Sequence, residues 1–215
     1  LLVDGDTGLS NLDILLGMPA CDTRATLDQV LDGEARIQDA IVGIEANLWL
    51  IPASSGLLEL READAETRQK LRHVFEDCPW EMDVILIDAG AGIQQNVLSL
   101  HDPSYESLVV LTPDPTSLTD AYSLIKILRY QVGVSRSSVI VNQVTDGRQG
   151  QMIYQKLKEV AARFTDVQLE YLGHCQRDEK ITQSVMKRKI LLDLDRGAAS
   201  IPCLELMAKR LAAQC

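Results

Sequence analysis

The sequence predicts an α/β fold, a doubly wound and mostly parallel sheet with helices on both faces. Three observations carry that expectation. Six short runs rich in leucine and β-branched residues are apolar almost without interruption, which is the pattern of strands buried on both faces. Segments of helical periodicity lie between them, so strand and helix alternate along the chain. No Pro/Gly/Ser linker, internal repeat or low-complexity segment breaks the alternation, and a single domain over residues 1–215 is expected.

The first run opens "LLVDGDTGLSNLDILLG". An apolar strand over 1–4 ends on Asp4, a glycine separates it from Asp6, and the segment then turns helical. The second strand is "LWLIPA", 48–53. A helix over Ala65–Glu76 follows, with Leu71, Val74 and Phe75 on one face. The strand "DVILID", 83–88, ends on Asp88 and enters "AGAG"; "SLVVLT", 107–112, is the next. Over 117–131 Leu118, Ala121, Tyr122, Ile125 and Leu128 recur at spacings of three and four, and Ser117 with Asp120 stands at the spacing of a capping box. The strand "SVIVNQV", 138–144, precedes a helix over 151–164 that aligns Ile153, Leu157, Val160 and Phe164. The strand "VQLEYLG", 167–173, and a last helix over about 200–213, aligning Ile201, Leu204, Met207 and Leu211, complete the set.

At 215 residues the chain is long enough to bury a full core without staples. Its net charge of −10 argues against a general nucleic-acid surface, which needs a basic footprint. The one basic run, Lys187-Arg188-Lys189, reads as a solvated helix end. The five cysteines are odd in number and widely spaced, with no Cys-x-x-Cys pair. That argues against a zinc site or redox motif and fits a reduced, cytosolic compartment. No apolar run approaches the roughly 20 residues of a membrane helix, and Asp4 cuts the first one too short for a signal peptide. His73, His101 and His174 show no ligand spacing, and Trp49 and Trp80, flanking strands, are expected in the core.

The chemistry gathers where strands end. In open α/β sheets ligands bind outside the carboxyl ends of the strands. If the strands ending at Asp4 and Asp88 are neighbours, Asp4, Asp6 and Asp88 converge on one edge. Like charges that close repel, and a magnesium ion held through water and shared with phosphates would join them. The plainer reading is that each Asp caps a following helix. "AGAGIQQN", 89–96, is no dinucleotide fingerprint, since G-x-G-x-x-G would need glycine at Gln95. A glycine turn able to change shape around a γ-phosphate fits better.

These pieces, in this order, resemble the MinD/ParA family of deviant-Walker ATPases across essentially the whole chain. "LLVDGDTGLSNLDILLG" resembles the segment after that family's phosphate loop, and "DVILIDAGAGI" its Walker B and switch II. "VIVNQV" is similar to its adenine-side strand, and "VVLTPDPTSLTDAYSLIKIL", 109–128, looks most like the branch of flagellar-number regulators. The resemblance implies that Asp4 supports the magnesium shell and that Asp6, in switch I, positions the attacking water. It implies that Asp88 holds magnesium through water and that Gly90 and Gly92 form the switch II turn near the γ-phosphate. Asn142 would read the adenine edge, and Asn11 would lie near the face where two subunits sandwich nucleotide. The family's Ile-Pro-x-Asp-like turn reads "GHCQRDE" here, with Cys175-Gln176 for Ile-Pro and Asp178 kept as an adenine contact.

The cofactors implied are ATP and Mg2+. The implied function is an ATP-dependent homodimerisation switch with slow hydrolysis that regulates flagellar number or placement. Flagellar assembly or regulatory proteins would be its partners, in the cytoplasm. A peripheral membrane contact stays open, because an anchor could follow Cys215; direct DNA binding is disfavoured by the acidic balance. The family's Gly- and Lys-rich phosphate loop would precede the strand ending at Asp4 and appears nowhere in the sequence, so the chain is expected to be an N-terminally truncated copy, inactive as it stands. Such a truncation would also remove a middle strand of the sheet. Alternatives are a degenerate, non-catalytic interaction protein of the same fold, and sibling roles in division-site placement or chromosome partition. Spacing argues against a phosphoacceptor receiver domain: Asp6 and Asp88 are too far apart for a domain of about 120 residues.

Overall fold

Alternation of strand and helix is realised in the computed structural model, which describes residues 1–6, 11–18, 24–52, 65–78 and 80–213. The chain divides into two compact units, residues 1–100 and 101–215, each built around its own sheet.

In the first unit, β1 (Leu2–Asp4) runs parallel to both β3 (Leu48–Ile51) and β4 (Leu86–Asp88). An additional strand, β2 (Val42–Glu45), pairs antiparallel with β3, giving the order β2-β3-β1-β4. The helices are α1 (Leu12–Leu15), α2 (Leu27–Leu31), α3 (Ile37–Ala40), α4 (Ala65–Glu76) and α5 (Gln95–Ser99). The α2 helix starts with a complete capping box, Thr26 accepting from the Gln29 amide and Gln29 from the Thr26 amide. Val3, Leu27, Ile51, Leu71, Phe75 and Leu100 fill the core of this unit.

The second unit has three parallel strands in sequence order, β5 (Ser107–Leu111), β6 (Arg136–Val144) and β7 (Gln168–Gln176). Between them stand α6 (Pro115–Ile127), which ends in a π-helical turn over Leu128–Val132, and α7 (Gly147–Phe164). After β7 come α8 (Glu179–Lys187), α9 (Leu191–Leu194) and α10 (Ile201–Ala212). One group of buried residues joins Val109, Val139 and Val141 to Ile125 of α6 and Leu157 of α7. A separate group joins Leu172 and Cys175 to Met207 of α10, with Ile140 and Ile181 packed against it. Successive strand residues point to opposite faces, so helices cover both faces of this sheet, as the apolar runs predict.

Several boundaries differ from the sequence expectation, each for a local reason. The α6 helix begins at Pro115, with Asp114 as its N-cap in place of a Ser117/Asp120 box. Proline at the first helical position costs no hydrogen bond, and the Asp114 carboxylate accepts from the Ser117 amide at 3.0 Å. The buried stripe of α7 runs Gly150, Ile153, Tyr154, Leu157, Ala161, at spacings of three and four, and leaves Phe164 exposed at the helix end. Leu204 of α10 and Trp80 are likewise exposed. In β4 and β5 the apolar pattern overstates burial. Among the described residues each pairs with a single neighbour in its own sheet, and Leu86 and Val110 are exposed. No helix among the described residues is long and apolar enough to cross a membrane.

Candidate functional site

In the first unit the carboxyl ends of β1 and β4 meet in register, Asp4 opposite Asp88. Gly5 extends the pairing one step, its amide donating to the Asp88 carbonyl at 2.8 Å. Gly5 has no room for a side chain. A Cβ would lie 2.4 Å from Leu100 Cδ1 and 2.9 Å from the Asp88 carbonyl oxygen. The "DGD" sequence therefore lets the chain pass tightly over the strand end while carrying a carboxylate on each side.

The three carboxylates have different environments. Asp4 is buried and accepts three backbone amides: Asp6 N on Oδ1 at 3.2 Å, and Asn11 N and Leu12 N on Oδ2 at 3.1 Å each. It thus fastens the start of α1 to the strand end. Burial pushes its carboxyl above the ordinary carboxylate value, the three amides oppose the rise, and the Asp88 charge adds to it. Asp6 is half-buried and Asp88 exposed. The glycine turn after Asp88 lies against Asp6. Gly90 has φ +71° and a Cβ there would fall 3.0 Å from Asp6 Cγ, while Gly92 has φ +117°. Both conformations favour glycine, and the Gly90 amide approaches Asp88 Oδ1 at 3.4 Å. Asn11 is exposed at the N-cap of α1, with its own amide on Asp4. Asp4, Asp6, Asp88, Asn11 and Gly90 are thus brought to one sheet edge, with Gly92 in the adjoining turn; residues 7–10 of the same segment lie outside the described residues.

Among the described residues no three His, Cys, Asp or Glu side chains gather as a complete metal-holding group. Hard carboxylate oxygens at Asp6 and Asp88 nevertheless suit Mg2+, which keeps several waters and takes only one or two protein carboxylates. Asp4, committed to three amides, is suited to positioning these two rather than to touching an ion.

In the second unit, Asn142 and Asp178 stand at the carboxyl ends of the adjacent strands β6 and β7. The ladder between these strands slips between Val141 and Val144. Gln143 there has φ +57°, rare for a residue with a side chain, and its amide donates to Asn142 Oδ1 at 2.8 Å. This bulge re-aims Asn142, and a continuous-looking "VIVNQV" gives no warning of it. Asp178 is the N-cap of α8. Its Oδ1 accepts from the Lys180 amide at 2.8 Å, and its Oδ2 from the Ser200 amide at 3.0 Å and the Ser200 hydroxyl at 2.8 Å. These bonds, that to Lys180 first, hold the Asp178 carboxyl below its ordinary value. A group with a lowered folded pKa stabilises the fold above its unfolded pKa, and that contribution is lost as pH falls through the folded value. Asp178→Ala therefore lowers the melting temperature at neutral pH. The gap to wild type should close as the pH falls below roughly 4; a gap constant down to strongly acid pH would refute the charged cap.

A cluster at the end of β5 escaped sequence reading. Asp114 accepts from the hydroxyls of Thr112 and Thr116 and from the Ser117 amide, and these bonds, Thr112 first, hold its carboxyl far below the ordinary value. The Asp-Pro pair in "TPDPTS" was the available signal.

No protein-family model matches the chain. Among curated proteins, the antiactivator FleN of Pseudomonas aeruginosa is 33% identical over 202 residues, covering 94% of this chain and 71% of FleN. The flagellum site-determining protein YlxH of Helicobacter pylori is 33% identical over 189 residues, covering 87% of this chain and 63% of YlxH. Among solved structures, the septum site-determining protein MinD of Pyrococcus horikoshii, complexed with Mg-ADP, superposes with a TM-score of 0.70 at 24% identity, over 98% of this chain and 82% of that one. This last likeness is one of fold.

Proposed function

Since the chain belongs to the MinD/ParA family of deviant-Walker ATPases, on its flagellar-regulator side, we propose that it is the switch-bearing part of an ATP-driven dimerisation switch that regulates flagellar number or placement. The observation that carries this reading is the sheet edge where Asp4 and Asp88 stand in register and Asp6 rests against the Gly90 turn.

In this reading Asp6 orients the attacking water and accepts its proton, within reach of the γ-phosphate. Asp4 holds the Asp6–Asn11 segment through its three amide bonds. Asp88 and Asp6 would hold Mg2+, which would offset the charge of the β- and γ-phosphates. The glycine turn at Gly90 and Gly92 follows the presence or loss of the γ-phosphate. Asn142 reads the adenine edge, the Asp178 corner borders the base, and Asn11 faces the second subunit. Phosphates are ordinarily cradled by a Gly- and Lys-rich loop, a feature this sequence does not contain. The chain spans 71% of FleN and 63% of YlxH. The partners are a flagellar transcription activator or flagellar assembly proteins, met in the cytoplasm.

The test uses the full-length protein from its own cells. With Mg-ATP its mass in solution should double relative to Mg-ADP, and phosphate should be released slowly. A protein that remains monomeric with ATP and releases no phosphate would be the non-catalytic interaction protein instead.

A further inference from the structure

The five cysteines contain no Cys-x-x-Cys pair, yet the fold makes a pair of two that are 28 positions apart. Cys203 Sγ of α10 lies 3.5 Å from Cys175 Sγ of β7. The approach is built in. Gly173 has no side chain on the face that α10 covers, and Met207 occupies that space; a Cβ on Gly173 would stand 2.6 Å from Met207 Cγ. The helix can therefore sit low on the strand, with Cys203 one turn before Met207 and Cys175 two residues after Gly173. Cys175 is buried beside Leu172 and Met207, whereas Cys203 is half-buried and reachable from solvent. The Cys203 thiol is also 2.9 Å from the Ser200 carbonyl.

We propose that Cys175 and Cys203 are a redox-responsive dithiol, which a peroxide closes into an intrachain disulfide that staples α10 to β7. The two sulfurs have separate parts in the reaction. The Cys203 sulfur attacks one peroxide oxygen, breaking the O–O bond; the other oxygen leaves as water with the thiol proton, and Cys203 becomes a sulfenic acid. The Cys175 sulfur then attacks the Cys203 sulfur. Its proton and the sulfenic hydroxyl depart as water, and the S–S bond forms. In sum, two thiols are oxidised and one peroxide is reduced to two waters. Burial, then the Cys203 thiol, push Cys175 up to about 12, so it waits as a protonated thiol while Cys203 meets the oxidant.

The staple acts on a defined place. Cys175 is three residues before Asp178, and Cys203 three after Ser200, the two residues whose hydrogen bonds join the start of α8 to the start of α10. The closed ring encloses α8 and α9, so oxidation restricts that excursion in the unfolded chain and ties it down in the folded one. The inference is independent of any nucleotide.

The experiment is a peptide map of the native protein after brief exposure to hydrogen peroxide and blocking of remaining thiols. Trypsin separates the two cysteines into peptides 164–177 and 197–209, each with one cysteine. The expected result is a single linked species, two hydrogens lighter than the sum of the two peptides, restored to free peptides by dithiothreitol. The oxidised protein should melt at a higher temperature, and Cys203→Ser, which keeps a donor to the Ser200 carbonyl, should show neither effect. Free peptides after peroxide, linkage of either peptide to another cysteine, or an unchanged melting temperature in the linked protein would each overturn the proposal.

Discussion

On the proposed function, Asp6→Ala is expected to lower ATP turnover by roughly 10²–10⁴-fold while ATP binding persists, the range spanned by removal of a positioned acid–base group. The argument is one of placement. Asp6 is half-buried at the edge where β1 and β4 end, and its carboxylate rests against Gly90, where a Cβ would fall 3.0 Å from Asp6 Cγ. The amide of Asp6, not its side chain, is what Asp4 holds. On the proposed function, truncating the Asp6 side chain removes the water-positioning carboxylate and keeps the backbone amide that Asp4 accepts. If the proposed dimerisation switch holds, the variant is expected to stay in the ATP-bound dimer, since ATP still enters and hydrolysis no longer releases it. Single-turnover phosphate release, with nucleotide binding measured in parallel, checks this. Normal turnover would remove Asp6 from the chemistry, and lost ATP binding would make it a structural residue.

The parts of this site that were legible in the sequence share one physical property: each is written in consecutive residues. "LLVD" and "DVILID" are apolar runs stopped by a carboxylate, and a parallel α/β sheet puts such stops on one edge. The register that sets Asp4 opposite Asp88 then follows from the pairing of two short strands. What was hidden depends on residues distant in sequence or on backbone conformation. The bulge at Gln143 is a slip between β6 and β7, and the residues "NQ" do not mark it. The β2 strand is four residues with a glycine second, too short to register as a strand until β3 pairs with it. Phe164 continues the periodicity of Ile153 and Leu157, but its helix ends there, and it remains at the surface. Asp178 keeps the position of a nucleotide contact by resemblance, yet three protein hydrogen bonds show that it also caps α8 and tethers Ser200.

Asp4→Ala is expected to destabilise the first unit by about 2–4 kcal/mol, since hydrogen bonds to a charged acceptor contribute about 1.5–3 kcal/mol each and relief of the buried charge offsets part of the loss. Two effects oppose each other here. The carboxylate is buried next to Asp88, and removing its charge relieves that cost. Against this, the amides of Asp6, Asn11 and Leu12 lose their acceptor at once, and a methyl group offers none. Relief of the buried charge makes the loss smaller than the three bonds alone would give, and the simultaneous loss of all three acceptors leaves the expected net change unfavourable. Asp4→Asn separates the two effects, because it removes the charge and keeps one acceptor oxygen; it should be markedly milder than alanine. The pH dependence gives an independent sign. The folded carboxyl is raised above its unfolded value by burial, so the folded chain binds the proton more tightly. The contribution of this group is therefore fully favourable below the unfolded pKa, near 3.9, and is lost as pH rises through the folded value. Wild type should thus lose stability relative to Asp4→Asn as pH is raised from the acid side across that interval. Urea unfolding midpoints of the three proteins across that range decide the matter. An alanine variant as stable as wild type would mean that the start of α1 does not depend on Asp4, and the fastening of the Asp6–Asn11 segment would have to come from elsewhere.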